Sequence, residues 1–178
     1  MDKAIDLALV GASGVVGNKI ISLLEKKNIN IENFYPLGSA SVGQEVTLNN
    51  TNYQIEDLSS FDCSKVNLAI FSAGSKVAKE YAQSFVNQGV YVIDLSSEFR
   101  YEENIPLIIP EINGSLLEDI KKPSLIANPN CSVSQLLMVL DPIHKEYSID
   151  FLNIATYQAV SGTGKDAVDQ LNKETNED

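Results

Sequence analysis

The fold is decided by residues 4–24, AIDLALVGASGVVGNKIISLL. Residues 4–10, which are apolar except for Asp6, predict a buried β-strand, and three glycines spaced three residues apart follow it. From the second glycine onward, apolar residues at helical spacing predict a helix over about Gly14–Lys27. Glycines in such a turn let the backbone approach the pyrophosphate of a dinucleotide at the helix N-terminus. The segment therefore predicts a dinucleotide site; the alternative is a glycine-rich turn needed only for helix–sheet packing.

Strands and helices alternate along the rest of the chain. We predict further strands near Phe34–Leu37, Val66–Phe71, Val90–Leu95 and Ser124–Ala127, and helices over about Lys76–Gln88 and Ser132–Tyr147. Alternation around Asn49-Asn50 predicts a hairpin within residues 45–56. This order of elements indicates βαβ units, and therefore an α/β fold with a Rossmann-type doubly wound parallel sheet.

Composition limits the classes of partner. The chain has 178 residues, 44% of them hydrophobic, and a formal net charge of −11, which opposes binding to nucleic acid or to an anionic membrane. No apolar run approaches a membrane span, and Met1-Asp2-Lys3 leads into the first strand without a signal peptide. Two cysteines are too few for a disulfide framework, and no CxxC motif is present. We therefore expect a cytoplasmic protein without a metal site.

The sequence ANPNCS at 127–132 places a thiol where a loop becomes a helix. Ser132, with Gln135 three residues later, predicts a capping box at the start of that helix. Cys131 in the first turn would face unpaired backbone N–H groups and the positive end of the helix dipole, which stabilise the reactive thiolate. The alternative is an inert, buried cysteine.

The segment after the second strand indicates which dinucleotide would bind. Sites that prefer NAD usually place an acidic residue there to hold the ribose 2′-hydroxyl. Here the strand continues into LGSASVG at 37–43, which contains no acidic residue. Small hydroxyl side chains could accept a 2′-phosphate instead, so the sequence favours NADP, although no Arg or Lys is present to bind that phosphate strongly.

Two other motif families fit the chain poorly. SGTGK at 161–165 is similar to the end of a P-loop, but Ala159 stands where that motif has its first glycine, and Asp166 follows the lysine. A short-chain dehydrogenase needs a catalytic Tyr-x-x-x-Lys, and none of the seven tyrosines has a lysine four residues later. We reject both interpretations.

Arg100 is the only arginine, and it ends the segment DLSSEFR at 94–100, directly after a predicted strand. A guanidinium at the carboxyl end of a strand suits bidentate binding of phosphate or carboxylate. The alternative is a surface ion pair with Glu98, Glu102 or Glu103, which would contribute little stability.

Several motifs in order resemble one family along nearly the whole chain. They are GASGVVG at 11–17, FSAG at 71–74, DLSSEFR at 94–100, PLIIPEIN at 106–113, ANPNCS at 127–132 and TYQAVSGTG at 156–164. The chain resembles the aspartate-semialdehyde dehydrogenase family. The resemblance implies reduction of aspartyl phosphate to the semialdehyde with NADPH and release of phosphate, on the route to lysine, threonine and methionine. It also implies a homo-oligomer, such as a homodimer.

The resemblance assigns roles to individual residues. Cys131 would attack the acyl phosphate and form a thioester, which suits a thiolate because it is both a strong nucleophile and a good leaving group. Arg100 and Asn130 would bind the phosphate, and Gln158 would orient the substrate beside the thiol. The alternative for Gln158 is a polar strand residue.

The resemblance also implies an NADP site lined by small residues. These are Gly11, Ser13, Gly14, Val15, Val16, Ser39, Ala40, Ser41, Ser72, Gly74, Ser161 and Gly162. The alternative for Ser161 and Gly162 is an ordinary turn.

One departure from the family pattern is the absence of a suitable histidine. The family uses a histidine as acid–base catalyst, but the only histidine here is His144, thirteen residues beyond Cys131 on the same predicted helix. At about 1.5 Å per residue it would be roughly 20 Å away, too far for proton transfer. We expect His144 to lie on the helix surface.

We therefore expect the chain to be the N-terminal part of the enzyme. Residues 1–130 would form the NADP-binding domain, and residues 131–178 would open a second α+β catalytic and dimerisation domain. Ile149–Val160 is expected to be an apolar strand whose sheet partners are missing, a feature that invites aggregation. Alone, the chain is expected to bind NADP weakly, to lack turnover and to be poorly soluble.

Two other functions stay open. N-acetyl-glutamyl-phosphate reductases use the same acyl-phosphate chemistry, and DLSSEFR leans towards them, whereas NPNC and TYQAVSG favour the aspartyl enzyme. The chain could instead be a non-catalytic NADP-binding module. The presence of Cys131, Arg100 and Gln158 together argues against this, because a binding module needs none of them.

Overall fold

The computed structural model describes residues 4–176; residues 1–3 and 177–178, at the outer ends of the two predicted domains, lie outside it. The strands are β1 (Ile5–Val10), β2 (Ile31–Gly38), β3 (Glu45–Leu48), β4 (Thr51–Gln54), β5 (Glu56–Asp57), β6 (Leu68–Phe71), β7 (Tyr91–Asp94) and β8 (Leu125–Ala127). The α-helices are α1 (Val15–Lys26), α2 (Ser75–Asn87), α3 (Pro110–Asn113), α4 (Cys131–Tyr147) and α5 (Lys165–Asn176). Short 3-10 turns cover Leu58–Ser60, Cys63–Lys65, Gly114–Asp119 and Val160–Thr163.

Six of these strands form one parallel sheet in the order β5-β2-β1-β6-β7-β8. The chain winds outward from β1 in both directions, so the predicted Rossmann-type doubly wound sheet is confirmed. In sheets of this kind, ligands bind at the carboxyl edge where the strand order reverses. Here the reversal lies between β1 and β6.

The register aligns the ends of four strands at that edge. Val10 pairs with Phe71, Phe71 with Asp94, and Asp94 with Ala127. The loops that follow β1, β6, β7 and β8 therefore leave the sheet side by side. These loops carry the glycine turn, the FSAG motif, the DLSSEFR segment and the NPNC motif, respectively.

The core covers both faces of β1, as expected for a central parallel strand. Ala8 and Val10 belong to a cluster with the buried face of α2, in which Phe85 packs edge-to-face on Phe71 with ring centroids 5.3 Å apart. The alternate β1 residues join a second cluster with Ile21 of α1 and the inward side chains of the hairpin. The buried residues 7–10 of β1 thus hold a helix on each side of the sheet.

The predicted hairpin is also confirmed. β3 and β4 pair antiparallel, and Asn49 and Asn50 between them have φ values of 50° and 61°. Two successive left-handed residues are what a two-residue hairpin turn requires, and asparagine tolerates that conformation well. This hairpin packs its inward side chains, Val46 and Leu48, beside α1.

The predicted strand over Ile149–Val160 is wrong. Residues 150–159 have no regular secondary structure and are exposed. A strand needs a backbone partner, but residues 149–160 pair with no strand within residues 4–176. The outer edge of β8, for example, is already occupied by residues 106–108. Ala127 N donates to Pro106 O, Ile108 N donates to Ala127 O, and Leu107 bridges Ala127 in parallel. The apolar segment therefore passes α4 as an extended coil.

No helix within residues 4–176 is both long enough and apolar enough to cross a membrane.

Gly17 packs against the turn after β1 with no room for a side chain. A Cβ atom there would lie 2.2 Å from Gly11 O and 2.8 Å from Ala12 O, so Gly17→Ala must push α1 away from β1. We expect the free energy of unfolding, measured in urea, to fall by about 1–3 kcal/mol, the usual cost of overpacking.

Gly114→Ala is the matched control for this substitution. Gly114 has a φ of −59°, and a Cβ atom there would meet its nearest neighbour, Pro110 Cβ, at 3.8 Å. Its unfolding free energy should stay within about 0.5 kcal/mol of the original protein. Equal losses in the two variants would contradict the close approach at Gly17.

Candidate active site

The glycine turn after β1 is held tightly against its neighbours. Gly11 has a φ of +85°, its N–H donates to Leu37 O at 2.8 Å, and its carbonyl accepts the Gly14 N–H at 3.1 Å. Gly14 is the N-cap of α1 and offers no side-chain cap. The Asn18 amide Nδ2 closes the turn by donating to the carbonyls of Ser13 and Gly14. The first backbone N–H groups of α1 are therefore left for a ligand.

A cleft of about 440 Å³ opens beside this turn, and we call it the glycine cleft. It lies where the beginnings of α1, α2 and α5 meet. Its lining consists of Gly14–Val16, Ser72–Gly74, Leu95, Ser96 and Ser161–Lys165. Three helix N-termini around one cleft provide backbone donors and positive dipole ends, which suit an anionic ligand.

A second cleft, of about 610 Å³, contains the predicted thiol and is called the thiol cleft. It is lined by Val15, Val16, Lys19, Cys131, Ser132, Gln135, Thr156–Ala159, Ser161 and Gly162. Val15, Val16, Ser161 and Gly162 belong to both clefts. The two clefts are therefore contiguous, and one extended ligand in the glycine cleft can reach towards Cys131.

Cys131 is exposed and is the first residue of α4. The N-cap is Asn130, whose Oδ1 accepts the Ser132 N–H at 2.9 Å. The predicted capping box on Ser132 and Gln135 is thus wrong, because the N-cap lies two residues earlier, at Asn130, and asparagine caps as well as serine does. The earlier start keeps Cys131 in the first turn, beside the unpaired N–H groups of the helix.

Gln158 comes next to this thiol although 27 residues separate them in the chain. Its amide Nε2 donates to Cys131 Sγ at 3.5 Å, and its Oε1 accepts from the Ser132 hydroxyl at 3.3 Å. The extended coil that replaces the predicted strand thus places an amide donor on the sulfur.

Arg100 connects two of the aligned loops. Its Nε donates to Asn128 O at 2.9 Å and its Nη2 donates to Leu95 O at 3.1 Å. The two ion pairs in the described part of the chain are Lys79–Glu98 and Lys145–Asp141, so the alternative of an Arg100 ion pair is wrong. A guanidinium has five N–H donors, and these two bonds leave Nη1 for an anion. Arg100 therefore holds the loop that carries Cys131 and keeps Nη1 donors, although it lines neither the glycine cleft nor the thiol cleft.

Asp94 was missed by the sequence analysis. It ends β7, is fully buried, and accepts hydrogen bonds from Ser96 N at 3.1 Å and Ser96 Oγ at 2.7 Å. Burial raises the pKa of the Asp94 carboxyl, while the Ser96 bonds and the nearby Arg100 charge act against that rise. The two hydrogen bonds that Asp94 accepts from Ser96 shape the turn that leads to Arg100. An aspartate after an apolar strand, two residues before a serine, is the sequence signal for such a turn.

The structure distributes the predicted cofactor residues unevenly. Gly14, Val15, Val16, Ser72, Gly74, Ser161 and Gly162 line the glycine cleft. The Ser72 hydroxyl also donates to Val10 O at 2.8 Å and so ties β6 to β1. Gly11 and Ser13 lie in the turn between β1 and α1 and line neither cleft. Ser39, Ala40 and Ser41 follow β2 at the same edge of the sheet and also line neither cleft. Their contact with a 2′-phosphate stays a prediction.

Two lysines at the clefts were not singled out from the sequence. Lys19 lines the thiol cleft, and Lys165 lines the glycine cleft at the start of α5. The GTGK sequence at 162–165 was a usable signal, since it places glycines and a lysine at a helix start even though it is no P-loop.

His144 lies near the end of α4, exposed, and its Nδ1 accepts the Ile149 N–H at 3.1 Å. As predicted, it is a helix-surface residue and not a partner of Cys131. Within residues 4–176 no cluster of three or more His, Cys, Asp or Glu side chains could hold a metal ion.

Comparison with known proteins places these features in a family. Residues 6–120 match the family described as "Semialdehyde dehydrogenase, NAD binding domain". The aspartate-semialdehyde dehydrogenase of Legionella pneumophila is 46% identical over 172 residues, which are 96% of this chain and 50% of that protein. That of Shewanella violacea is 40% identical over 172 residues, covering 96% of this chain and 51% of that protein.

A solved structure agrees with the sequence matches. Aspartate semialdehyde dehydrogenase II from Vibrio cholerae, complexed with ASA, is 35% identical to this chain and has a TM-score of 0.92. The match covers 97% of this chain and 52% of that one. The chain thus spans about half the length of the curated relatives it matches.

The two thiols should differ in reactivity. Burial raises the pKa of the Cys63 thiol, whereas Cys131 is exposed at a helix start with an amide donor on its sulfur. At neutral pH we expect iodoacetamide to modify Cys131 faster than Cys63 by roughly tenfold or more, measured by peptide mass spectrometry. Similar rates at the two positions would contradict the activation of Cys131.

Proposed function

Because the chain belongs to the semialdehyde dehydrogenase family, as the N-terminal NAD(P)-binding portion of an aspartate-semialdehyde dehydrogenase, we propose that it serves the NADP-dependent reductive dephosphorylation of aspartyl phosphate to aspartate semialdehyde. One observation carries the proposal. Cys131, at the start of α4 with Gln158 on its sulfur, lies in a cleft continuous with the glycine turn. A nucleophile beside a dinucleotide site is what this reaction needs.

The residues of the glycine cleft fit a dinucleotide. Gly14, Gly74 and Gly162 line the cleft with bare backbone. Close packing at Gly11 against the Ser72 backbone, and at Gly17 against the turn after β1, holds that turn in place. Gly14–Val16 and Ser72–Gly74 would hold the phosphates through the first N–H groups of α1 and α2. Bound NADPH would supply the hydride. We keep NADP rather than NAD because no acidic residue occurs in 37–43, where Ser39 and Ser41 offer hydroxyls.

The proposed chemistry begins with the Cys131 thiolate. The sulfur attacks the carbonyl carbon of aspartyl phosphate, a C–S bond forms, and the C–O bond to phosphate breaks with release of inorganic phosphate. The aspartyl thioester on Cys131 then receives hydride at its carbonyl carbon. Collapse of that adduct breaks the C–S bond and returns the thiolate with the aldehyde. The dipole of α4 and the Gln158 amide stabilise the thiolate before and after the reaction.

Arg100 and Asn130 would bind the phosphate before it leaves. Nη1 of Arg100 keeps two N–H donors after the bonds to Leu95 and Asn128 are made. The side-chain oxygen Oδ1 of Asn130 caps α4. Its side-chain nitrogen Nδ2 is a donor and can therefore bond a phosphate oxygen. Gln158 would orient the substrate as well as the sulfur.

Further statements about the whole protein belong to the same proposal. Residues 1–130 form the NADP-binding domain, and residues 131–178 open a catalytic and dimerisation domain. The complete protein is a cytoplasmic homo-oligomer that acts in lysine, threonine and methionine biosynthesis. His144 is too distant to be the acid–base catalyst, so we assign that role to a histidine in the part of the relatives that the chain does not span.

Acylation of Cys131 tests the proposal. The chain is mixed with aspartyl phosphate, and its intact mass and the released phosphate are followed. We expect one aspartyl group per chain, removable by hydroxylamine as a thioester, with one phosphate released. Arg100→Lys should slow acylation by roughly tenfold or more, because a planar, bidentate donor is replaced by a single ammonium.

The Cys63→Ala variant is the control and should acylate at the original rate. An adduct on Cys63, or none at all, would contradict the proposal. Faster acylation by N-acetyl-glutamyl phosphate than by aspartyl phosphate would reassign the substrate to the related reductases. Tight NADP binding without any acylation would favour a non-catalytic module.

The cofactor preference has its own test. Ser39→Asp would place a carboxylate where the 2′-phosphate of NADP is proposed to lie. We expect the Kd for NADP, measured by calorimetry, to rise by roughly tenfold or more through like-charge repulsion, with a smaller change for NAD. Ser115→Asp makes the same charge change at an exposed site outside both clefts and should leave both Kd values unaltered. Equal effects of the two variants on NADP would show that Ser39 is not at the 2′-phosphate.

A further inference from the structure

Three side chains meet at the start of α4. The Ser132 hydroxyl donates to Gln158 Oε1 at 3.3 Å, and Gln158 Nε2 donates to Cys131 Sγ at 3.5 Å. Ser132 Oγ is itself 4.0 Å from Cys131 Sγ. A hydroxyl, an amide and a thiol therefore form one compact hydrogen-bonded trio, in which the amide is bonded to both of the other groups.

The amide can face the sulfur in two ways that are chemically opposite. With Nε2 towards sulfur it donates to a thiolate; with Oε1 towards sulfur it places a partial negative charge beside one. A thiolate accepts a hydrogen bond only from Nε2, and this orientation leaves Oε1 to accept a bond, which the Ser132 hydroxyl donates. We infer that Ser132 is a positioning residue that holds the Gln158 amide beside Cys131, where the thiolate selects the donor end of the amide. This rests on the proposed function, in which Cys131 is the nucleophile.

Gln158 needs such a partner because its own backbone is poorly supported. It lies in residues 150–159, which are exposed and without regular secondary structure. Ser132, in contrast, lies in the first turn of α4, and its N–H is fixed by Asn130 Oδ1 at 2.9 Å. The helix therefore orients a side chain from the coil. A hydrogen bond to Oε1 also polarises the Gln158 amide and so strengthens the hydrogen bonds that its N–H groups donate.

The chain offers a matched control two residues away. Ser134 lies on the same turn of α4, and its hydroxyl donates to the backbone carbonyl of Asn130 at 3.1 Å. Ser134→Ala removes a hydroxyl from the same helix end and leaves the side chains of Ser132, Gln158 and Cys131 unchanged. Ser132→Thr keeps the hydroxyl, and Gln158→Ala removes the amide that Ser132 is proposed to orient.

The test measures the rate of Cys131 alkylation by iodoacetamide against pH, in the full chain, with Cys63 as internal reference. We expect Ser132→Ala to slow Cys131 at neutral pH by roughly fivefold, about the contribution of one neutral hydrogen bond. Its rate profile should also move to more alkaline pH, since the thiolate has lost a donor. Ser132→Thr and Ser134→Ala should follow the original profile.

A double-mutant cycle separates orientation from packing. If Ser132 acts through Gln158, Cys131 should be alkylated no more slowly in the Ser132→Ala/Gln158→Ala double variant than in Gln158→Ala alone. A merely structural loosening would instead open the thiol cleft and raise the alkylation rate at every pH. An unchanged Cys63 rate verifies that each variant keeps its core.

The outcomes distinguish this inference from the proposed function. The role of Ser132 would be overturned if Cys131 is alkylated fast and Ser132→Ala does not move the pH profile of that rate. Additive losses of rate in the double variant would overturn it too. Either result would leave Cys131 as the nucleophile. A Cys131 no faster than Cys63 in the original chain would overturn both, because there would be no stabilised thiolate for the amide to serve.

Discussion

The backbone amides of Ser72, Leu95 and Asn128 each donate to the carbonyl of the last residue in the neighbouring strand, at 2.9, 3.0 and 2.8 Å. These bonds extend the parallel ladder by one residue beyond the strands themselves. The loops that carry Ser72 and Gly74, Arg100, and Asn130 and Cys131 begin from them. Because parallel strands bury both faces and allow little sliding, the register that the core selects also fixes where the loops start. The geometry of the site is therefore a consequence of the packing of the sheet.

Beyond the ladder, polar side-chain contacts connect the loops to one another. Arg100 bonds the carbonyls of two neighbouring loops, and the buried Asp94 shapes the turn before it. Burying a carboxylate costs stability unless it is well bonded, and here both Ser96 donors offset that cost. The opposite wall of the site is less constrained, since Gln158 lies in a coil and contacts α4 through Ser132 and Cys131. A rigid sheet edge thus faces a wall held by a few side chains.

The sequence predicted what depends on local patterns. The apolar run of β1, its glycine turn and the Asn49-Asn50 hairpin carry their structures in a few consecutive residues, and all were confirmed. The predicted strand at Ile149–Val160 was wrong for a non-local reason: within residues 4–176 it pairs with no other strand, and residues 106–108 already occupy the outer edge of β8. The capping box was wrong because Asn130, two residues before Ser132, is an equally good cap. The contact between Ser132 and Gln158 joins distant residues, and no spacing in the sequence could indicate it.

The central claim is that the glycine cleft delivers the cofactor to Cys131, and a crystal structure of the chain with NADP tests it most directly. Reacting atoms approach to about 3–3.5 Å, so with one C–S bond between them the nicotinamide ring should lie within roughly 5 Å of Cys131 Sγ. Its phosphates should lie on Gly14–Val16. A nicotinamide ring more than roughly 10 Å from that sulfur, or NADP bound outside the glycine cleft, would contradict the account.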